Sequence, residues 1–553
     1  MYKKNSIINI GDLMKKESFL KGALISTVCI ILSKILGIIY VIPFHAVIGE
    51  KGGALYSYAY TIYNLFLTLS TVGLPLAISK IVSEYNTLDY QDAKKRSYKI
   101  ALRFTLCLSI VSSISLFIFA PVISSLIKGG VEGGNSVSDI VFVLRIASTA
   151  IFFATILSTT RGYLQGHRYI SVSSISQIIE QFVRVLIIIF GSYVGIKLFG
   201  LKEAVGIAVF GATAGAMIAY VYLKFKMKKI RSNSNYVIKN EEIKITNKYL
   251  FRKLIKYTIP FVMTSVIASL YDTVDTFTIV KGLIKYGNMD VDSAEAVLGI
   301  IATWGNKLNM IVTSIASGIV VSLLPNLTSD FVAKNMKGVN EKVIKTFELL
   351  LYLVIPMAVG LSVLSTPVWK TFYGNSELGP SVFKFSVFVA IFSSTFINVN
   401  VVMQSLNRYK TVFISLISGV LFKAIFNVPL IYLYSRIGIT PYYASISATI
   451  IGFSISILIS LIDLKKNFGI KYNRLIKNVI ICILSILVVV VLIKILSLFI
   501  VFSSLSRVKS ILLVAVCSII GALIYFILTY KNKVFETVFG KNVIKKIPFL
   551  KGA

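Results

Sequence analysis

The 553-residue sequence is poor in the residues that cross-link, ligate metals or catalyse. Its four cysteines, Cys29, Cys107, Cys482 and Cys517, have no paired spacing; they read as small apolar fillers within expected spans, not as disulfides or metal ligands. Its two histidines, His45 and His167, lie far apart and form no metal-ligand pattern. No phosphate loop, nucleotide fingerprint or nucleophile elbow occurs, so an ATP-driven pump is not expected unless another subunit brings the nucleotide site. The first twenty residues contain Lys3, Lys4, Lys15 and Lys16 but no apolar core ending in a small-residue cleavage site, and no cleavable signal peptide is expected. Acidic residues are scarce too: 23 against 58 basic ones, a formal net charge of +35.

What is abundant is apolar length. Hydrophobic residues make up 56% of the chain and the mean hydropathy is +0.82. Fourteen stretches approach the ~20 residues that a spanning helix needs. They lie at 23–45, 55–80, 100–127, 139–163, 171–197, 203–224, 254–282, 298–325, 346–370, 382–404, 409–434, 440–463, 475–500 and 508–530. With the N-terminus inside, the cytoplasmic segments receive most of the basic residues: eleven in 224–256, five in 464–477 and six in 531–553, with Lys80, Lys94, Lys95, Arg96 and Lys99 in 80–99. The outer loops carry one or two each, such as Lys51, Lys128 and Arg436. This positive-inside bias predicts an all-α, multi-pass membrane protein of fourteen spans with both termini cytoplasmic. It also assigns the positive charge to anionic lipid headgroups, not to nucleic acid.

The first twelve spans read as six used twice. The third ends FAPVISSLIKG (119–129) and the ninth STPVWKTFYG (365–374); the fourth leads into GYLQGHRYISV (162–172) and the tenth into VMQSLNRYKTV (402–412). An even number of spans per half predicts two six-helix lobes in the same orientation, related by a pseudo-two-fold along the membrane normal, with the substrate path between them. The expected divisions are a lobe over 1–224, a basic linker over 225–253, a second lobe over 254–463, and two further helices with a tail over 464–553.

Ionisable groups at membrane depth are costly, so their positions carry information. In SISQIIEQFVRVLIIIF (174–190), Gln177, Glu180, Gln181 and Arg184 fall at i, i+3, i+4 and i+7, one face of a helix. Glu180 and Arg184 can line a cleft or simply neutralise each other along their own helix. Lys34 in the first span and Lys307, beside Asn306 in the eighth, have no same-helix acidic partner nearby and are expected to line a cavity. Asn64 in the second span joins this substrate-facing set. Asp272 and Asp275 in SLYDTVDTF share a face of the seventh span, and Lys423 and Asn427 lie in the eleventh; these four are candidates for ion coupling or gating, or for an interhelical structural pair. Arg145 and Arg161, near the ends of the fourth span, can snorkel to the interface and are weaker evidence for a cavity. Lysines at membrane depth point to an anion, with phosphate or pyrophosphate the favoured kind, and a sideways-opening cleft suits a substrate that keeps a lipid tail in the bilayer. A multidrug antiporter would favour an acidic cavity. A membrane glycosyltransferase would normally need catalytic carboxylates or a large outer loop, and the outer loops here are short.

The run KGALISTVCIILSKILGIIYVIPFHAVIGEKGGALYSYAYTIYNLFLTLSTVGLPLAISKIVSEYN (21–86), with SQIIEQFVRV and RGYLQG, resembles the MurJ/YtgP-type lipid II flippases of the multidrug/oligosaccharidyl-lipid/polysaccharide exporter superfamily. The resemblance covers essentially the whole chain. It implies alternating access with no covalent chemistry and no cofactor, coupled to Na+, H+ or the membrane potential. The implied substrate is an undecaprenyl-pyrophosphate-linked glycan, lipid II foremost, with another such unit for capsule, teichuronic acid or spore cortex as the alternative. Cell-wall synthesis machinery is an implied partner. The family's basic positions in the first and eighth spans match Lys34 and Lys307, while two further arginine positions appear here as Tyr40 and Leu67. Its acidic seventh-span position is matched by Asp272 or Asp275, with Lys423 able to replace a sodium ion if it lies nearby.

Overall fold

The computed structural model describes residues 39–71, 73–167, 169–231 and 245–539, with residues 29, 32, 33 and 35–37 before them. Lys34 lies outside the described residues. All regular elements among the described residues are helices, as a chain in hydrocarbon requires, because a helix satisfies every backbone polar group within its own segment.

Two compact units divide the chain at Phe277/Thr278. The first contains α1 (Val41–Thr71), α2 (Gly73–Thr87), α3 (Gln91–Lys128), α4 (Val137–Gly166), α5 (Ile170–Leu186), α6 (Ser192–Leu198) and α7 (Leu201–Arg231). The boundary falls inside α8 (Asn247–Gly287). The second contains α9 (Val291–Gly299), α10 (Gly305–Val332), α11 (Met336–Val363), α12 (Ser365–Tyr373), α13 (Leu378–Ser386), α14 (Val389–Ser405), α15 (Tyr409–Arg436), α16 (Tyr443–Phe468), α17 (Asn473–Phe499), α18 (Arg507–Lys531) and the short α19 (Val534–Phe539). Two π turns interrupt this pattern: Ile187–Gly191 joins α5 to α6, and Ile300–Trp304 joins α9 to α10.

Local chemistry sets the ends. Ser136 and Asp139 form a capping box at the start of α4, each side chain accepting the other's backbone N–H. Asp290 caps α9 by accepting the Ser293 N–H at 2.9 Å, and this bonding holds its carboxyl below the usual carboxylate range. Gly49, at φ 64°, breaks α1 where no L side chain sits comfortably.

Twelve helices among the described residues are long and apolar enough to cross a membrane, against the fourteen expected. One of the twelve, Ile35–Asn86, runs for 52 residues and takes in the second expected span and the end of the first from residue 35 on, with the Gly49 break between them. The eighth expected span is helical across its π turn and α10, though the side chains of 320–326 lie outside the described ones.

The last two spans read as an apolar appendage in sequence, and their outer faces are just that: Leu484, Leu487, Val491, Leu512, Ile519 and Leu523 are exposed, as lipid contact requires. Their attachment is polar. Glu348 of α11, fully buried, accepts from Arg474 Nε at 2.8 Å, Arg474 Nη2 at 2.9 Å and Asn478 Nδ2 at 2.8 Å. Tyr525 OH donates to the Tyr352 carbonyl at 3.0 Å, and Tyr352 OH meets Thr529 Oγ1 at 3.0 Å.

Candidate functional site

The polar face of α5 meets a second helix, and the partner differs from the expected one. Glu180 Oε2 lies 2.8 Å from Arg161 Nη1 on α4, while Glu180 Oε1 lies 3.3 Å from Arg184 Nη2 on its own helix. The shorter ion pair is therefore interhelical. Arg161 is not an interfacial snorkeller: its side chain is 13% exposed, and its Nε donates to Ser176 Oγ at 2.7 Å. Ser176 donates in turn to the Ser173 carbonyl at 2.6 Å, so the guanidinium is oriented by α5 at two levels. The cluster holds two guanidiniums and one carboxylate, a surplus of one positive charge at 13–17% exposure. Arg161 Nη2 and Arg184 Nε are both buried and have no acceptor among the described residues. A guanidinium has five N–H donors in a fixed fork, so this set has capacity left for another anion.

Tyrosines from α1 close the other side of Arg184. Tyr56 and Tyr60 stack at 5.5 Å and 15°, and Tyr60 leans on Tyr63 at 5.8 Å. Between them, Arg184 and the small residues Ala147, Ala150, Ala208 and Ala212, the free space is about 10 Å³, barely the room one water needs. This part of the site is shut.

Helix α7 presses on the backbone beneath each charge. A Cβ added at Gly215 would lie 2.6 Å from the Glu180 carbonyl oxygen, and one at Gly211 would lie 3.1 Å from the Arg184 carbonyl oxygen. The site's geometry thus depends on a residue that carries no charge. Gly215→Ala is expected to push α5 away from α7 and to cost about 1–3 kcal/mol, the usual range for overpacking a close contact. Thermal unfolding of the purified protein checks this: Gly215→Ala should melt below wild type and Gly211→Ala should fall between them.

The remaining candidates are distributed over both units. In the first, Asn64 is half-buried on α1; on α8, Asp272 is exposed and Asp275 is buried. That separates two carboxylates which their spacing leaves equivalent. In the second unit, Lys307 is half-buried and Asn306 is exposed, its Nδ2 turned back to the Ala302 carbonyl at 3.5 Å. Both follow the π turn ending at Trp304, a fully buried indole whose carbonyl accepts from Tyr373 OH at 2.8 Å. Lys423 and Asn427 on α15 are fully buried, and Asn427 Nδ2 donates to Thr278 Oγ1 at 2.6 Å. Asn398 is fully buried and donates to the Ser394 carbonyl of its own helix at 3.2 Å. Among the described residues no group of three histidine, cysteine or acidic side chains is placed to hold a metal ion.

Comparison with known proteins agrees with this architecture. Residues 19–329 match the family described as polysaccharide biosynthesis protein. The chain is 30% identical over 539 residues to lipid II flippase MurJ of Bacillus subtilis (strain 168), covering 95% of this chain and 98% of that one. It is 26% identical over 375 residues to stage V sporulation protein B of the same organism, covering 67% and 69%. Among solved structures, lipid II flippase MurJ in an inward closed conformation superposes with a TM-score of 0.67 at 15% identity, over 93% of this chain and 99% of that one. An inward-facing multidrug resistance MATE family transporter of the MOP superfamily superposes at 0.59 with 12% identity, over 80% and 99%. The fold is that of these membrane transporters.

Proposed function

Because the chain belongs to the polysaccharide biosynthesis protein family, we propose that it is a flippase for lipid-linked oligosaccharides and that lipid II is its substrate. The observation that carries the reading is the Arg161–Glu180–Arg184 cluster, a surplus of positive charge inside a membrane-spanning unit with donors to spare. Such a surplus is costly unless an anion uses it. A polyprenyl pyrophosphate is an anion whose tail never has to leave the bilayer. The same charge disfavours export of cationic drugs, although MATE transporters share the fold. The work is recognition and reorientation by alternating access, with no bond made or broken.

Lys307, Asn306, Asn64 and Lys34 complete the proposed substrate-facing set, and Asp275 with Lys423 and Asn427 the proposed coupling set, driven by Na+, H+ or the membrane potential. The relation to stage V sporulation protein B supports a second reading in which another undecaprenyl-linked unit is carried. Proteoliposomes containing fluorescent lipid II separate the two. Protein-dependent exposure of lipid II to an outside quencher is expected, and no exposure above empty liposomes would turn the assignment to the other glycans.

Orientation follows from the loop charges, with both termini cytoplasmic. Cysteines placed at Asn235 and Asn467 are expected to react with an impermeant maleimide only after cells are permeabilised. Labelling of either in intact cells would reverse the topology.

A further inference from the structure

Glu180 occupies the position an anionic ligand would take. Its two oxygens are shared between guanidiniums from two helices, 2.8 Å to Arg161 and 3.3 Å to Arg184. The second contact is longer than the roughly 2.7–2.9 Å of a good charge-assisted bond. A carboxylate has two oxygens with which to satisfy two forks; a pyrophosphate has more, spread over two phosphorus centres. The donors left over, Arg161 Nη2 and Arg184 Nε, are buried and unused by Glu180, and a larger anion that displaced it would have them to bond.

The helices that carry the cluster are held in place by close backbone contacts. Gly162 and Gly166 set α4 directly against the α2 backbone, where an added Cβ would lie 2.4 Å from the Pro75 carbonyl oxygen and 2.7 Å from that of Ser79. Gly215 does the same for α5 against α7. The helices are held while the three charged side chains keep 13–17% of their surface exposed. The Glu180 side chain has to turn, and the α1 tyrosines that leave about 10 Å³ beside Arg184 have to move aside.

We propose that Arg161 and Arg184 form a phosphate-binding pair and that Glu180 is its resting occupant, displaced by the pyrophosphate of the substrate. The proposal rests on the flippase reading and adds to it a residue, Arg161, and a role for Glu180 as internal competitor. Arg161 binds the anion directly. Glu180 closes the pair when no substrate is present and speeds release by returning to it.

The discriminating variant is Glu180→Gln, because the two roles open to Glu180 predict different binding. If the carboxylate only neutralises the arginines, its loss leaves two uncompensated buried charges and does nothing for a ligand. As a competitor, its loss frees both forks. The expected result, by titration of a polyprenyl pyrophosphate into purified protein in lipid nanodiscs, is about tenfold tighter binding. The ligand-free variant should melt below wild type and recover more on adding ligand, by binding linkage, while flipping slows because release is slower. Arg161→Gln should weaken binding by about 10- to 100-fold, the loss expected of a charged contact. Should Glu180→Gln not fold, Glu180→Asp takes its place: the shorter carboxylate cannot span both guanidiniums, and a smaller tightening is expected. Phosphatidylglycerol titrated in the same way serves as the alternative phosphate source and should bind at least tenfold more weakly.

Unchanged or weaker binding by Glu180→Gln, or by Glu180→Asp in its place, overturns the exchange and leaves the flippase reading intact. Wild-type binding equal to that of Arg161→Gln does the same. Wild-type protein that binds the pyrophosphate no better than phosphatidylglycerol overturns both.

Discussion

Arg184→Ala is expected to abolish rescue of a strain depleted of its own lipid II flippase, with membrane abundance close to wild type. The side chain sits at 17% exposure between Glu180 and the tyrosines of α1, and it has a buried donor with no acceptor among the described residues. A charged hydrogen bond is worth roughly 1.5–3 kcal/mol, so its loss should lower substrate affinity by about 10- to 100-fold at ~1.4 kcal/mol per decade. Abundance should survive, because removing this arginine leaves Glu180 still paired to Arg161 at 2.8 Å. The double change Glu180→Gln with Arg184→Met sharpens the comparison. On the same-helix pairing alone it removes both charges together and should be silent. The structure adds Arg161, which then loses its carboxylate and stays buried and uncompensated. The double variant is therefore expected to be impaired as well. A fully rescuing Arg184→Ala would remove this cluster from the transport path.

Class and helix order were legible because hydrocarbon leaves few choices. Apolar runs of the right length must be helices, and the expected fifth span, 171–197, falls on a continuous helical stretch from Ile170 to Leu198. What escaped is what depends on partners. In sequence the fourth span ends near 163, because Thr159 and Thr160 interrupt the apolar run. In the structure those hydroxyls are used between helices: Thr159 meets Thr105 at 2.8 Å and Thr160 meets Tyr98 OH at 3.2 Å, and α4 continues to Gly166. Arg161 therefore lies inside the helix and not at its edge. Its carboxylate, nineteen residues on and across a turn, has no signature in spacing.

The two π turns escaped for a similar reason. IIIFG and IIATW contain no proline and differ little from ordinary apolar sequence. Their placement is nonetheless patterned, three residues after Arg184 in one unit and three before Lys307 in the other. Single π turns are frequent at functional positions, since the extra residue re-aims the side chains that follow. The polar contacts that fasten α17 and α18 were equally hidden. A lone Glu348 in a long apolar helix reads as a cost until Arg474 and Asn478 are seen to satisfy it.

Lys307 offers the second large effect, and one with a sign that separates function from folding. An ammonium at the centre of a span costs on the order of 2.5–3.5 kcal/mol on insertion scales, and less toward its ends. The position of Lys307 is fixed from behind by the buried Trp304 and by Gly305, where an added Cβ would lie 2.8 Å from the Ile300 carbonyl oxygen. Lys307→Met keeps length and apolar stem while deleting the charge. It should insert normally and melt at or above the wild-type temperature, yet fail in the rescue assay, with substrate affinity down about 10- to 100-fold. Lys307→Arg should retain partial function, since the charge persists while its planar fork changes the geometry. A variant that lost stability and function together would assign Lys307 to a structural ion pair, and full rescue by Lys307→Met would remove it from the binding of an anionic substrate.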